Sequence, residues 1–270
     1  MAFKVAAVNA RTGQDQQAMG HDYVAAAAAA GCALVCFPEG FLCRAPRGHA
    51  VFCNTDDFRV QCLIREAREH RIAILAGMWE QTGQHRHLSA LYISPLGESA
   101  VIHRKLVLAR RERWLDIDPG SDLRVYHTPL CTIGASLCLE NWMPEIPRAL
   151  ALAGAELLYA PSYLGLAVAR RFDYYDMWKQ LLRVRAAENC CYVVACTNAI
   201  AQRPLALVAD PDGTILAERE LPGMITAVVD PEQVRRRRAG CERSTHVPPL
   251  RIRPFTLGSA VPCEPSDAGE

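Results

Sequence analysis

The chain has 270 residues, of which 50% are apolar, enough to bury one large core. Thirty basic residues stand against twenty-nine acidic ones, leaving a formal charge of +1. That balance gives no electrostatic footprint for nucleic acid or an anionic membrane surface.

No run reaches the eighteen or so apolar residues of a membrane-spanning helix. The opening stretch MAFKVAAVN reads as a strand rather than a signal peptide. Twelve cysteines occur without a CxxC pair, and the adjacent Cys190 and Cys191 have no histidine at metal-ligand spacing. The expectation is therefore reduced thiols in a cytoplasmic protein, with no disulfide framework, metal or cofactor.

Strand and helix signals alternate along the chain. Residues 3–9 read as a strand, 15–30 as an alanine-rich helix stopped by Gly31, and ALVCFP as a buried strand. Over 55–70, Val60, Leu63, Ile64 and Ala67 share one helical face, with Thr55 or Asp56 as the expected cap. Residues 72–79, 88–94 and 100–105 read as strands, the last two joined around Pro95 and Gly97.

In the second half, strands are expected at 124–129 and 131–138, separated by a turn at Pro129. A helix over 144–153 ends at Gly154 and leads into the strand AELLYAPS. A long helix over 172–189 leads into CYVVACTN, and three further strands follow, LALVAD, TILAERE and MITAVVD. The run Arg235 to Arg238 reads as a solvated helix face. The segments GCALVCFPE and GAELLYAPS each follow an alanine-rich helix, which suggests either two similar halves or two ordinary strands. One domain is expected over 1–270, with its core at about 3–232 and an irregular arm over 240–270.

Three positions carry possible chemistry. Pro38 ends a strand and leaves Glu39 at the sheet rim between Phe37 and Phe41. A carboxylate there is either a desolvated base or a loop residue capping a turn. Lys105 closes a strand, as an oxyanion-stabilising charge or as a solvated edge residue. Glu112, flanked by Arg111 and Arg113, reads on its own as part of a surface ion pair. Cys138 ends an apolar strand just before polar residues and a Pro-Glu helix start, as a nucleophile in an elbow or a core cysteine. Cys43, in a loop with proline and arginine, is the nearest rival.

Taken together, FPEGF, HRKL and CLENWMPE resemble the motifs of the nitrilase, or carbon–nitrogen hydrolase, superfamily. The likeness runs over about residues 3 to 232 and includes RVRAAENCCYVVACTN and ADPDGTILAE. CLEN followed by MP is similar to the nitrile-hydrolysing branch; the following PE, PSY and RAAEN look more like the amidase and carbamoylase branches.

The resemblance implies an α/β fold, a four-layer α-β-β-α sandwich, and assembly as a homodimer or larger homo-oligomer. It implies a catalytic triad of Glu39, Lys105 and Cys138, with Glu112 as a second glutamate. Leu139, Trp142 and Tyr163 would then serve the oxyanion and the substrate, with Arg170 or Arg171 as candidates for binding a substrate carboxylate. The implied activity is thiol-dependent hydrolysis of a carbon–nitrogen bond in a small amide or N-carbamoyl compound. The alternatives are a nitrilase, an acyltransferase and a binding module without catalysis.

Overall fold

The computed structural model describes residues 1–10, 16–42, 51–163, 172–198 and 205–241, with the backbone alone at 16–19, 111, 172–175 and 241. Two six-stranded sheets form its centre. The first contains β1 (Phe3–Asn9), β2 (Leu34–Cys36), β3 (Ala73–Thr82), β4 (His85–Ile93), β5 (Ser99–Arg104) and β12 (Gly223–Val229), in the order β12-β1-β2-β3-β4-β5. The second contains β6 (Tyr126–His127), β7 (Thr132–Ala135), β8 (Leu157–Ser162), β9 (Tyr192–Thr197), β10 (Ala206–Ala209) and β11 (Ile215–Arg219), in the order β11-β10-β9-β8-β7-β6.

Each sheet has three parallel strands at its heart. β1, β2 and β3 run parallel in one, β7, β8 and β9 in the other, and the flanking strands pair antiparallel. In the first half, α1 (Gln16–Ala29) and α2 (Phe58–His70) join the parallel strands. In the second, α4 (Glu145–Leu152) and α5 (Phe172–Asn189) do the same. The echo between GCALVCFPE and GAELLYAPS is therefore real: β2 and β8 are the middle parallel strands of equivalent β-α-β-α-β units.

Strand alternation divides the apolar residues between layers. Val5, Ala7, Leu34 and Leu75 face Ile133, Leu157, Tyr159 and Val194 between the sheets. Ala6, Val8, Val35 and Ile74 pack outward against Val24, Val60, Leu63 and Ala67 of α1 and α2. Leu158, Ala160 and Val193 pack outward against Leu150, Trp178 and Leu182 of α4 and α5. Because both faces of every central strand are covered, these strands read as unbroken apolar runs. This is the expected four-layer sandwich.

Several boundaries move. The second helix starts at Phe58, and Asp57 caps it by accepting the Arg59 N–H at 3.0 Å, because a turn from Asn54 to Asp57 takes up the expected capping residues. The strand expected over 124–129 shrinks to the two residues of β6, which pairs with β7 at the edge of the sheet. The arginine run lies on α6 (Pro231–Cys241), and its guanidinium groups are paired as well as solvated. Arg235 meets Glu156 at 2.7 Å, Arg236 meets Asp230 at 3.0 Å, Arg237 meets Asp212, and Arg238 donates to the Ala155 carbonyl at 2.5 Å. Cys43, Arg170, Arg171 and the arm after residue 241 lie outside the described residues.

Candidate active site

Glu39 follows β2 at the rim of the first sheet, and both it and the flanking Phe37 and Phe41 are buried. The two rings stack on each other with centroids 4.2 Å apart. Strand β3 passes so close that a Cβ on Gly77 would sit 2.5 Å from the Glu39 Cα, so only glycine fits there. The Tyr159 hydroxyl, reaching from β8 of the other sheet, donates to the Phe37 carbonyl just before Glu39.

Lys105 follows β5 and is fully buried. Its Nζ donates to Glu39 Oε1 at 2.8 Å and to Glu112 Oε1 at 2.7 Å. Glu112 sits on a single helical turn, α3 (Arg110–Arg113), and is steadied by the Ala109 N–H at 2.6 Å. The preceding residue, Arg104, makes a two-pronged bond to buried Glu80 at 2.8 and 2.6 Å, tying β5 back to β3. Burial opposes the charge of Glu80, but Arg104, Ser89 and Thr82 outweigh it and hold its pKa below the ordinary value. Glu112, which on its own reads as part of a surface ion pair, is thus a partner of a buried lysine.

Cys138 opens a short 3₁₀ turn, Cys138–Trp142, beyond the end of β7. Its φ is 49°, the left-handed region that non-glycine residues seldom occupy. Such a residue costs about 1–3 kcal/mol and persists only where neighbours hold it. Here Asn141 Nδ2 donates to the Ser136 carbonyl at 2.7 Å and to the Cys138 carbonyl at 3.2 Å, and Arg185 Nε donates to the Asn141 carbonyl at 2.8 Å. Glu140, fully buried, accepts the Leu137 N–H at 2.6 Å through one oxygen. Its other oxygen accepts the Leu106 N–H at 2.6 Å, and His103 Nε2 lies 2.9 Å from the carboxylate. A single carboxylate therefore joins the turn that carries Cys138 to the strand end that carries Lys105.

The Cys138 thiol lies 3.8 Å from the Tyr163 carbonyl and beside the Glu39 carboxylate, with which it interacts. The Tyr163 N–H donates to Glu39 Oε2 at 2.8 Å. The four expected residues Glu39, Lys105, Glu112 and Cys138 and the backbone of Tyr163 thus form one cluster. The Leu139 N–H belongs to the first turn of the 3₁₀ segment, where amides have no partner within the helix. The Trp142 ring packs on Trp178 of α5 with centroids 6.0 Å apart, in the outer core.

Burial pushes the Glu39 pKa up from 4.5 to about 7; Lys105 works against that rise and Glu112 adds to it. Burial disfavours the ammonium of Lys105, yet Glu39 foremost, with Cys138 and Glu112, overcomes it and keeps the amine firmly protonated. Burial, then Glu39, pushes the Cys138 thiol well above its ordinary value, with Lys105 opposing. The cluster therefore holds a thiol that keeps its proton, a carboxyl group poised near neutrality and a fixed positive charge.

A sequence profile described as carbon-nitrogen hydrolase matches residues 4–239. The chain belongs to the carbon–nitrogen hydrolase family. Among curated relatives, it is 31% identical over 196 residues to Nitrilase 1 of Arabidopsis thaliana, an alignment covering 64% of this chain and 54% of that protein. It is 28% identical over 194 residues to a bifunctional nitrilase/nitrile hydratase of Nicotiana tabacum, covering 64% of this chain and 53% of that protein. The chain thus spans about half the length of the curated relatives it matches.

Solved structures share the fold of this hydrolase family member. The NitFhit protein of C. elegans superposes with a TM-score of 0.76 at 23% identity, over 91% of this chain and 65% of that one. A carbon–nitrogen hydrolase superfamily protein of Xanthomonas campestris, with an arsenic adduct in its active site, gives 0.76 at 20% identity, over 96% and 100%. An amidase from Nesterenkonia sp. gives 0.70 at 22% identity, over 90% and 95%.

Sequence reasoning missed Glu140, His103, Asn141 and Arg185 as parts of the site. Glu140 had a signal, since it is the acidic residue two places after the cysteine in the motif that carries the family likeness. His103, the first residue of HRKL, and Arg185, within RVRAAEN, also lie in segments that carry the likeness, but nothing local marks their contacts, which span long separations in the chain.

Proposed function

We propose that this protein hydrolyses a carbon–nitrogen bond in a small amide or N-carbamoyl compound through a thioester on Cys138. The observation that carries the proposal is a lysine buried between two carboxylates from separate segments, beside a thiol held in a left-handed turn. Glu39 takes the Cys138 proton as sulfur attacks the substrate carbon. The electron pair moves onto oxygen, and Lys105 and the Leu139 N–H hold the resulting oxyanion. One such donor is worth about 3–4 kcal/mol.

Glu39 then returns the proton to the departing nitrogen as the carbon–nitrogen bond breaks, leaving a thioester. It next deprotonates water, which attacks the thioester and releases the acid and the Cys138 sulfur, which recovers the proton. A pKa near 7 suits a group that acts first as base and then as acid. Glu112 is the positioning partner of Lys105.

A second reading is a nitrilase, favoured by the names of the Arabidopsis and Nicotiana relatives. The same residues would then carry a thioimidate, which water converts to acid and ammonia. The amide reading draws support from the residues after Cys138 and from the amidase of like fold. We read the working form as a cytoplasmic homodimer or larger homo-oligomer. Met177 and Val184 of α5 and Leu152 of α4 are exposed apolar side chains that support pairing through this outer layer.

The deciding assay measures ammonia release over a panel of amides, N-carbamoyl compounds and nitriles, with intact-mass detection of the covalent intermediate. A mass increment on the intact chain that is lost in Cys138→Ala is the expected outcome. Full turnover by both Cys138→Ala and Cys138→Ser would remove the nucleophile from the scheme.

A further inference from the structure

Apart from the candidate active site, α1 and α2 pack side by side over the outer face of the first sheet. Among the described residues, their seam carries Val24, Val60, Leu63 and Ala67 together with one buried carboxylate. Glu66 of α2 is 6% exposed there, on the face that also carries Val60, Leu63 and Ala67. A buried carboxylate needs a positive partner. The partners the structure supplies are two imidazoles. His21 Nδ1, from α1, lies 2.8 Å from Glu66 Oε2, and His70 Nε2, one helical turn beyond Glu66, lies 3.6 Å from the same oxygen.

Two features go beyond an ordinary helix-to-helix hydrogen bond. The first is that His70 Nε2 is inaccessible to solvent and, among the described residues, has no hydrogen-bond partner, although it faces Glu66 at a distance too long for a hydrogen bond. The second is the spacing: the three ligand atoms all lie within 4.8 Å of one another. Bonds of about 2.0–2.1 Å from nitrogen and oxygen to a tetrahedral ion place neighbouring ligand atoms roughly 3.3 Å apart. The two measured separations, 2.8 and 3.6 Å, fall on either side of that value. Glu66 and His70 are already fixed relative to each other by one turn of helix. His21, with its side chain 55% exposed, leaves a solvent-facing side where water could complete the coordination.

We propose that His21, Glu66 and His70 bind a divalent transition-metal ion, with zinc(II) the ion whose ligand preference matches two imidazoles and a carboxylate. The ion would clamp α1 to α2, two elements joined in sequence only through a long connection and β2. It would take the lone pair of His70 Nε2 and share Glu66 between the two rings. A hard cation such as magnesium, which prefers oxygen ligands, would not be held.

The test uses the full-length protein freed of metal and titrated with zinc(II). One saturable equivalent is expected, with the melting temperature rising by about 5 °C or more at a hundredfold excess over the dissociation constant. Magnesium should produce no such rise. His21→Gln and His70→Gln should each lose the shift while melting cooperatively without metal. Cobalt(II) on the unmodified chain should give visible ligand-field absorption without a sulfur-to-metal charge-transfer band, a readout that does not depend on any variant folding. An undiminished zinc shift in both variants, a sulfur-to-cobalt band, or the absence of saturable binding would each overturn the assignment.

Discussion

The two β-α-β-α-β halves are built alike but bring different things to the rim where they meet. The first half brings charge. Glu39 and Lys105 leave its strands already buried and already paired, so the electrostatics are set before any substrate arrives. The second half brings backbone geometry. β7 ends in a turn that places Cys138 at a φ of 49° and presents the amides beyond it. A charged group can be held by its counter-charge alone, whereas a strained backbone has to be held by its neighbours. That is why Glu140, Asn141 and Arg185 gather around Cys138, while Glu39 needs only Lys105, the Tyr163 N–H and the close approach of Gly77.

This contrast can be broken first at the thiol. Cys138→Ala should lower turnover by about 10⁴-fold or more while leaving the melting temperature close to that of the parent, because the carboxylate–lysine pair remains intact. A modest loss of turnover would mean that the second half does not carry the nucleophile. Lys105→Met tests the first half. It leaves Glu39 and Glu112 without their cation, so a loss of about 3–5 kcal/mol in denaturant unfolding is expected, together with loss of activity. If stability held and only turnover fell, the lysine would be a chemical participant rather than the electrostatic keystone.

Glu140→Gln sharpens the link between the halves. The amide keeps one oxygen that accepts from either the Leu137 or the Leu106 N–H but turns its NH2 donors toward the other, at a cost of about 1–3 kcal/mol. A positioning role predicts a fall in kcat with KM little changed; equal changes in both would point to general loosening.

The smallest effect is that of pH. With Glu39 titrating near 7, kcat/KM should fall about tenfold per unit as pH drops below that value, and Glu39→Gln should abolish activity rather than shift the limb. The stability sign follows from the raised pKa. Between about 4.5 and about 7 the folded state keeps a proton that the unfolded chain has lost, so Glu39 lowers stability as pH rises through that window. Unfolding free energies measured across it should fall more steeply with pH in the parent than in the Glu39→Gln chain; equal slopes would show the carboxyl group to be ordinary.

Much of this architecture was legible because it rests on local signals. Period-two and period-3.6 patterns marked the strands and the stripe Val60, Leu63, Ile64 and Ala67 on α2, and Gly154, with a φ of 104°, marked the end of α4. Boundaries moved where a turn or an edge strand competed with propensity, as at Asp57 and β6. Single residues were poorly legible: a lysine at a strand end and a glutamate between arginines carry no local cue that they are buried together. Only the ordered set of motifs raised them above their neighbours.

The sequence alone determined the alternation of strands and helices, the strand ends at which Glu39, Lys105 and Cys138 stand, and membership of the carbon–nitrogen hydrolase family, because periodicity, chain-stopping residues and motif order are properties of neighbours in the chain. The tertiary structure alone decided that Lys105 lies between Glu39 and Glu112, that Glu140 ties the cysteine turn to the lysine strand, that Trp142 packs outward on Trp178, and that Glu66 meets two histidines from different helices. Those arrangements depend on desolvation and on contacts between residues far apart in the chain, and neither exists until the sheets have packed.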